Sequence, residues 1–205
     1  LYNARNPGRI APVIFTDEHM MTLPFFAPVL LTTERLGLRP PHQDDWRALF
    51  AIWSDPEAMR YFSFPTMTRA EQAVERFGQL MEASIAGEDL VCMVELLATG
   101  EVIGSCDLFN VDEQCRRAEI GFTLGRQHWG KGYMSEAARA VIDHGFNTAG
   151  LRRLEADIDP RNLGSAKLLE RLGFVREGLL RERWVVGDEI SDSALYGLLK
   201  RDRPA

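Results

Sequence analysis

The residues with the most chemical content lie in Gln127-His-Trp-Gly-Lys-Gly-Tyr-Met-Ser-Glu136. Gly130 and Gly132 stand one residue apart, between a strand-like and a helix-like segment. Glycine reaches backbone angles closed to other residues, so successive N–H groups there can turn toward one anion. The helix that follows adds unpaired N–H groups and the positive end of its dipole. Such a strand–loop–helix can cradle a phosphate; it also reads as a tight strand-to-helix turn. Two other phosphate loops are excluded. A Walker A loop needs Lys followed by Ser or Thr, and Gly132 follows Lys131. A dinucleotide fingerprint needs a third glycine, where Ser135 stands, and an early βαβ unit.

A carboxylate and two polar residues flank this loop. Alternation along Ala118–Leu124 puts Glu119, Gly121 and Thr123 on one strand face and Ile120, Phe122 and Leu124 on the other. A carboxylate in a strand fit for burial is unusual. It reads either as a reactive group or as an ion-pair partner of Arg116, Arg117 or Arg153. Asp157, at the end of a later strand, is a weaker candidate of the same kind. Asn162 opens a helix with Ser165 one turn in, on the same face; a serine there also serves as an ordinary cap. His19, His42, His128 and His144 show no metal-ligand spacing, and His128 is expected to pack within the loop. No metal is expected.

The elements that must position these residues follow from periodicity. Residues 1–29 are rich in Pro, Asn and Gly and read as an irregular extension. Leu30–Arg39 is a strand stopped by Pro40-Pro41. Asp44 caps a helix through Trp46, Leu49, Phe50 and Trp53; a short helix from Pro56 and a longer one from Thr68 to Gly87 follow. Period two then takes over in Leu90–Leu97, Val102–Phe109 and Ala118–Leu124. A helix from Met134, a strand Arg153–Ile158, a helix Asn162–Leu172 closed by Gly173, and a hairpin over Phe174–Leu199 complete the chain. That order predicts an α+β chain with one mixed sheet.

Composition narrows the function classes. The 205 residues suit one domain with an extension, and a hydrophobic share of 45% is enough for a sizeable core. A net charge of -6 argues against non-specific nucleic-acid binding and mildly favours a cationic partner. The apolar run near Leu23–Leu31 is too short to span a bilayer and lacks a following A-x-A site. Cys92, Cys106 and Cys115 contain no C-x-x-C pair, so neither a disulfide framework nor a zinc site is expected, and a reducing cytoplasm fits.

The spacing Gln127-x-x-Gly130-x-Gly132 resembles the pyrophosphate loop of the GNAT acyltransferase superfamily. Around it, Ala118-Glu-Ile-Gly-Phe122, Trp129–Ala137 and Asn162-x-x-Ser165-x-Lys167-Leu-Leu-Glu-x-Leu-Gly-Phe174 resemble the ribosomal-protein-alanine N-acetyltransferase branch. So do Leu31-x-Thr-Glu-Arg-Leu36, Leu38-Arg39 and Asp192-Ser-x-x-Tyr-x-Leu-Leu199. The resemblance covers about residues 30–202, which would form one N-acetyltransferase domain. It implies a twisted, mostly antiparallel sheet that splays between two parallel strands and is flanked by helices.

The same resemblance implies acetyl-coenzyme A as acetyl donor. Backbone groups of Phe122, Thr123 and Leu124 would pair with the pantetheine arm. Gln127 and the N–H groups of Trp129, Gly130, Lys131, Gly132, Tyr133 and Met134 would hold the pyrophosphate. Asn162 would reach the arm or a water, Ser165 would protonate the leaving thiolate, and Glu119 would take the proton of the amine. The acceptor would be a primary amine, most readily a protein N-terminus. A lysine amine (~10.4) is harder to deprotonate than an α-amine (~7.8) by about 3.5 kcal/mol, and no histidine base stands out. A small amine such as an antibiotic, polyamine or amino acid remains as an alternative, as does a non-catalytic acyl-CoA-binding module. No nucleic-acid or membrane partner is expected, and the chain would be a monomer or homodimer. Tyr61–Phe64, Trp184 and Tyr196 are candidates for the acceptor pocket.

Overall fold

The computed structural model describes residues 25–203. One eight-stranded sheet runs in the order β1-β2-β3-β4-β5-β6-β8-β7. Its strands are β1 (Leu31–Thr32), β2 (Leu36–Arg39), β3 (Leu90–Leu96), β4 (Val102–Asp112), β5 (Arg117–Leu124), β6 (Arg153–Ile158), β7 (Val175–Val186) and β8 (Glu189–Leu199). The helices are α1 (Trp46–Trp53), α2 (Pro56–Met59), α3 (Ala70–Ala86), α4 (Tyr133–Asn147) and α5 (Leu163–Arg171). Every pairing is antiparallel except β5 with β6. The expected mixed α+β architecture is therefore observed.

The parallel pair is the feature that positions the site. β5 and β6 pair only over Arg117–Glu119 against Arg153–Glu155. Beyond Glu119 the strands part, and β6 continues on β8 through Ile158. Residues Ile120–Leu124 of β5 thus have β4 on one edge and no strand on the other.

Two apolar clusters hold the sheet from opposite faces. In one, Ala137, Ala138, Val141, Ile142 and Phe146 of α4 pack on Cys92, Cys106, Leu108, Ala118 and Ile120. In the other, Leu49, Ile52, Trp53 and Phe77 of α1 and α3 pack on Met93. Odd and even positions of the central strands serve different clusters, as period-two geometry requires.

Several local expectations are corrected. The single strand over Leu30–Arg39 is two short antiparallel strands, β1 and β2, because the chain turns at Thr33–Arg35. The Thr33 N–H closes that turn on the Leu36 carbonyl. The first helix takes Asp45, not Asp44, at its N-cap position. The Asp45 carboxylate accepts from the Arg39 guanidinium at 2.7 and 3.0 Å and from the His42 N–H at 2.6 Å. β4 runs on past Phe109 to Asp112 through a register shift, with Asn110 in the left-handed region at φ 50°. β8 begins at Glu189 rather than Ser193. Residues 25–30 carry neither helix nor strand, so the expected irregular extension is not overturned there, but Phe26 within it is buried in the core, 2% exposed, and its N–H donates to the Gly87 carbonyl at 2.9 Å. The rest of that extension, residues 1–24, lies outside the described residues. Among the described residues, no helix is long and apolar enough to cross a membrane and no His, Cys, Asp or Glu cluster could hold a metal ion.

Candidate active site

The glycine loop follows β5 and opens α4. A single 3-10 turn over Arg126–His128 carries the chain out of the sheet. Gly130 and Gly132 both take positive φ, 74° and 81°, and Gly132 is the N-cap of α4. The N–H groups of Gly130, Lys131, Gly132, Tyr133 and Met134 find no acceptor among the described residues. Trp129 is different, since its N–H donates to the Arg126 carbonyl at 3.1 Å. The run of unpaired N–H groups therefore starts at Gly130, one residue after the expected start of the cradle. The Trp129 indole N–H also donates to the Leu124 carbonyl at 2.9 Å. That occupies one of the β5 backbone groups expected to be free. Gln127 lies exposed against Gly125, and His128 is buried beside Tyr133 as expected.

A brace absent from the sequence reading holds this loop. The Arg35 guanidinium donates to the Glu136 carboxylate at 2.7 Å and to the Lys131 carbonyl at 3.0 Å, and it lies 4.6 Å over the Tyr133 ring. The Thr33 hydroxyl and the Arg35 N–H donate to the same carboxylate at 2.6 and 2.9 Å. Partial burial works to raise the Glu136 pKa, but these three donors and the Arg35 charge outweigh it and hold the carboxyl below its usual range. The Thr33–Arg35 turn and the first turn of α4 are a hundred residues apart in sequence. Their pairing is invisible to local pattern.

Beside the splay a cleft of about 690 Å³ opens on the α1–α3 face of the sheet. It brings together Glu119, Phe122, Thr123, Asn162 and Ser165, with Asp157. Leu124, Gln127 and Trp129 to Met134 do not line it; Gln127 and Trp129 to Gly132 are exposed in the loop after β5, whereas Met134 is buried in the first turn of α4. Asn162 is the N-cap of α5, and its Oδ1 accepts the Ser165 N–H at 3.0 Å. The capping role thus belongs to Asn162, and the Ser165 hydroxyl has no partner among the described residues.

Glu119 is half-buried and accepts from the Asn110 side-chain amide at 3.2 Å. No ion pair to Glu119 is found among the described residues, and two of the three arginines named for that role are engaged elsewhere. Arg117 pairs with Glu155 at 2.8 Å and Asp112 at 3.5 Å, and Arg153 with Glu155 at 2.7 Å and Glu177 at 2.5 Å. Asp157 accepts from the Ser193 hydroxyl and from the Trp184 indole N–H at 3.4 Å, so it is tied into the β8 wall.

Much of the cleft wall is aromatic. Trp53, Tyr61, Phe62 and Phe64 line it from the α1–α3 region and Trp184 from β7. Phe64 stacks edge-on with Phe62 and Trp53 at 5.6 and 6.1 Å, under the Arg76 guanidinium at 3.8 Å. Tyr196, a further candidate, is instead 4% exposed in the core. Arg161 links the α5 end to the final hairpin, through Asp159 at 2.5 Å and Glu189 at 2.7 Å.

Two carboxylates escaped the sequence reading. Asp107 and Asp89 line the same cleft without a cationic partner among the described residues. Asp107 carried the signal that drew attention to Glu119: a carboxylate inside an apolar strand, between Cys106 and Leu108.

Known proteins agree with this architecture. Residues 35–175 match the family model described as acetyltransferase (GNAT) domain. An N-acetyltransferase of Bacillus licheniformis is 40% identical over 172 residues, 84% of this chain and 97% of the relative. The ribosomal protein uS5-alanine N-acetyltransferase of Escherichia coli is 29% identical over 185 residues, 85% and 92% of the two chains. A GNAT-family acetyltransferase structure from Bacillus anthracis superposes with a TM-score of 0.75 at 26% identity, covering 84% of this chain and 99% of that one. The chain belongs to the GNAT acetyltransferases. It is an acetyl-CoA-dependent N-acetyltransferase.

Proposed function

We propose that the chain acetylates a primary amine in the cleft beside the β5–β6 splay, and that the natural acceptor is the α-amine of a protein N-terminus. The observation that carries the reading is the splay itself, with the glycine cradle at one end and an aromatic, carboxylate-lined cleft at the other.

The residues present fit acetyl-CoA. The five N–H groups from Gly130 to Met134 lack acceptors, and the α4 dipole adds positive potential, so together they would hold the pyrophosphate. The open edge of β5 at Phe122 and Thr123 would hold the pantetheine arm. Acetyl-CoA supplies an activated acetyl thioester. The Ser165 hydroxyl, free of the helix cap, would give the departing sulfur a proton. Asn162 is placed to orient a group beside it through its amide N–H. Glu119, unpaired by any arginine, attracts and orients the ammonium of the acceptor.

Two points favour a protein α-amine. The similarity to an uS5-alanine N-acetyltransferase runs over 85% of the chain. Among the described residues no histidine lines the cleft, and its carboxylates are better matched to an amine that is partly neutral at pH 7. Residues 30–202 would then be the catalytic domain. The test is acetyl-CoA consumption with N-terminal peptides, free amino acids, polyamines and aminoglycosides as acceptors. Peptides should give the highest kcat/KM, and an alanine-initiated peptide should lose its activity when its α-amine is blocked. Preference for a small amine would overturn the acceptor, and binding without turnover on any amine would overturn the enzyme.

A further inference from the structure

We propose that Asp107 is the catalytic carboxylate that takes the proton from the acceptor ammonium, while Glu119 orients the same nitrogen beside the splay. The inference rests on the amine-acetyltransferase reading above and names the group that makes the amine nucleophilic.

The argument starts from register. Asp107 stands opposite Gly121 of β5 and Val91 of β3, and Ser105 opposite Thr123 and Met93. Cross-strand partners share a face, so Ser105, Asp107, Thr123 and Glu119 form one polar stripe on the cleft side of the sheet. Gly121 has no side chain to cover Asp107. A Cβ there would meet the Phe109 ring at 2.8 Å. The Asp107 carboxylate accepts the Ser105 hydroxyl at 2.8 Å and the Cys92 N–H at 3.1 Å, which leaves each oxygen a further lone pair. Next to it the Thr123 hydroxyl is buried, in a residue 6% exposed, with no hydrogen-bond partner. An unpaired polar group on the wall of a ligand cleft is accounted for when a ligand supplies the partner.

The surroundings tune the carboxylate. Burial pushes the Asp107 carboxyl up to about 7, against the Ser105 and Cys92 hydrogen bonds that lower it, with the Asp89 charge adding to the rise. The charged and titratable groups that line the cleft with it are Asp89 at the start of β3, Arg60 and Tyr61 after α2, Arg76 on α3, Glu119 on β5, Asp157 on β6, Asp159 and Arg161 before α5, and Glu189 on β8; of these the Asp89 charge acts on it. Arg76 stacks on Phe64 and makes no ion pair among the described residues. The flanking Cys92 and Cys106 thiols are buried and held neutral. A base near neutrality is the efficient one at neutral pH. Against an α-amine (~7.8) its proton-transfer equilibrium is unfavourable by only ~6-fold, but against a lysine-type amine (~10.4) by ~2,500-fold. A base of this kind suits an amine of low pKa better than a lysine-type amine.

The step balances. The ammonium N–H bond breaks, its electron pair stays on nitrogen, and the proton goes to Asp107. That pair forms the C–N bond to the thioester carbonyl carbon as the C–S bond breaks and its electrons leave with sulfur. A second nitrogen proton ends on sulfur by way of the Ser165 hydroxyl or water. Asp107 returns its proton to solvent, so the products are an amide, a thiol and one proton.

The test follows kcat/KM against pH for two peptides whose α-amine pKa values differ. A limb that stays near pH 7 with both peptides belongs to the enzyme. Asp107→Asn keeps the shape of the side chain; it should fall ~100- to 10,000-fold at pH 7 and recover as the free amine forms at high pH, with acetyl-CoA affinity unchanged. Ser105→Ala removes a donor that lowers the Asp107 pKa, so the same limb should move to higher pH, a readout that survives if Asp107→Asn folds poorly. An unmoved limb in Ser105→Ala, or a folded Asp107→Asn with wild-type rates or a deficit equal at every pH, overturns the proposal. A wild type inactive on every amine would instead defeat the enzyme reading, which keeps the two failures apart.

Discussion

The two ends of the cleft are built by different means. The end proposed to hold the acetyl donor is backbone: five N–H groups, two glycines at positive φ and a helix terminus, braced from outside by Arg35, Thr33 and Glu136. The end proposed to take the acceptor is side chain: aromatic rings from α1 to α3, a hairpin wall, and Asp89, Asp107 and Glu119 without ion-pair partners among the described residues. Backbone recognition suits a ligand that every member of a family shares. Side-chain recognition suits one that differs between members, because an outward side chain can change without disturbing a hydrogen-bond ladder.

The largest effect should come from breaking the donor end. Gly132 sits at φ 81°, so Gly132→Val adds a β-branched side chain where L-residues are strained, and its Cβ would stand 3.4 Å from the Arg35 guanidinium. Acetyl-CoA should no longer raise the melting temperature of this variant, whereas the parent should gain with ligand concentration over Kd. A full ligand shift in Gly132→Val would remove the cradle from the mechanism. Next is Ser165→Ala, at the boundary of the two ends. Because Asn162 caps α5 without the serine hydroxyl, folding and acetyl-CoA affinity should hold while kcat falls ~10- to 100-fold at every pH. Parent-like kcat would mean that the sulfur takes its proton from water.

The smallest effect tests the brace. Glu136→Gln keeps the shape but loses the charge, and Kd for acetyl-CoA should rise ~3- to 10-fold with kcat preserved. The pH dependence has a definite sign. Glu136 has a depressed pKa when folded, so its stabilisation is complete above the usual carboxylate range and is lost as pH falls through the folded value. The melting-temperature gap between parent and Glu136→Gln should therefore be full at pH 7 and close in acid. Asp107 has the opposite sign: raised toward about 7, it destabilises the fold as pH climbs from about 4 to 7. Asp107→Asn should melt above the parent at pH 8 and level with it at pH 4, as calorimetry at the two pH values would show.

Much of the donor end was legible in the chain. Glycine at a fixed interval between a period-two and a period-3.6 segment has few physical uses, and Gly130 and Gly132 hold the expected conformations. The element order was legible for the same reason, since hydrophobic period is a local property. Errors fell where a local pattern met a distant partner. Leu30–Arg39 looks like one strand until Glu136 draws the Thr33–Arg35 turn toward α4. Asp44 looks like a cap until Arg39 claims its neighbour Asp45. Trp129 looks like part of the cradle, but its own N–H is taken by Arg126 and its indole by Leu124.

Residue identities alone determined that Gly130 and Gly132 could turn the chain sharply into α4, that Asn162 could cap α5, and that a carboxylate stands inside each of two apolar strands. Only tertiary structure decided what those groups do. It set the point beyond Glu119 where β5 leaves β6, and it drew the nearby arginines to Glu155, Glu177 and Asp112, leaving Glu119 unpaired. It also laid Asp107 beside Ser105 and an orphaned Thr123 on one wall. Conformation at a glycine or a helix cap depends on a few neighbouring residues, so it can be read along the chain. The protonation and partners of a carboxylate depend on burial and on charges brought from far along the chain, and these exist only once the sheet has closed.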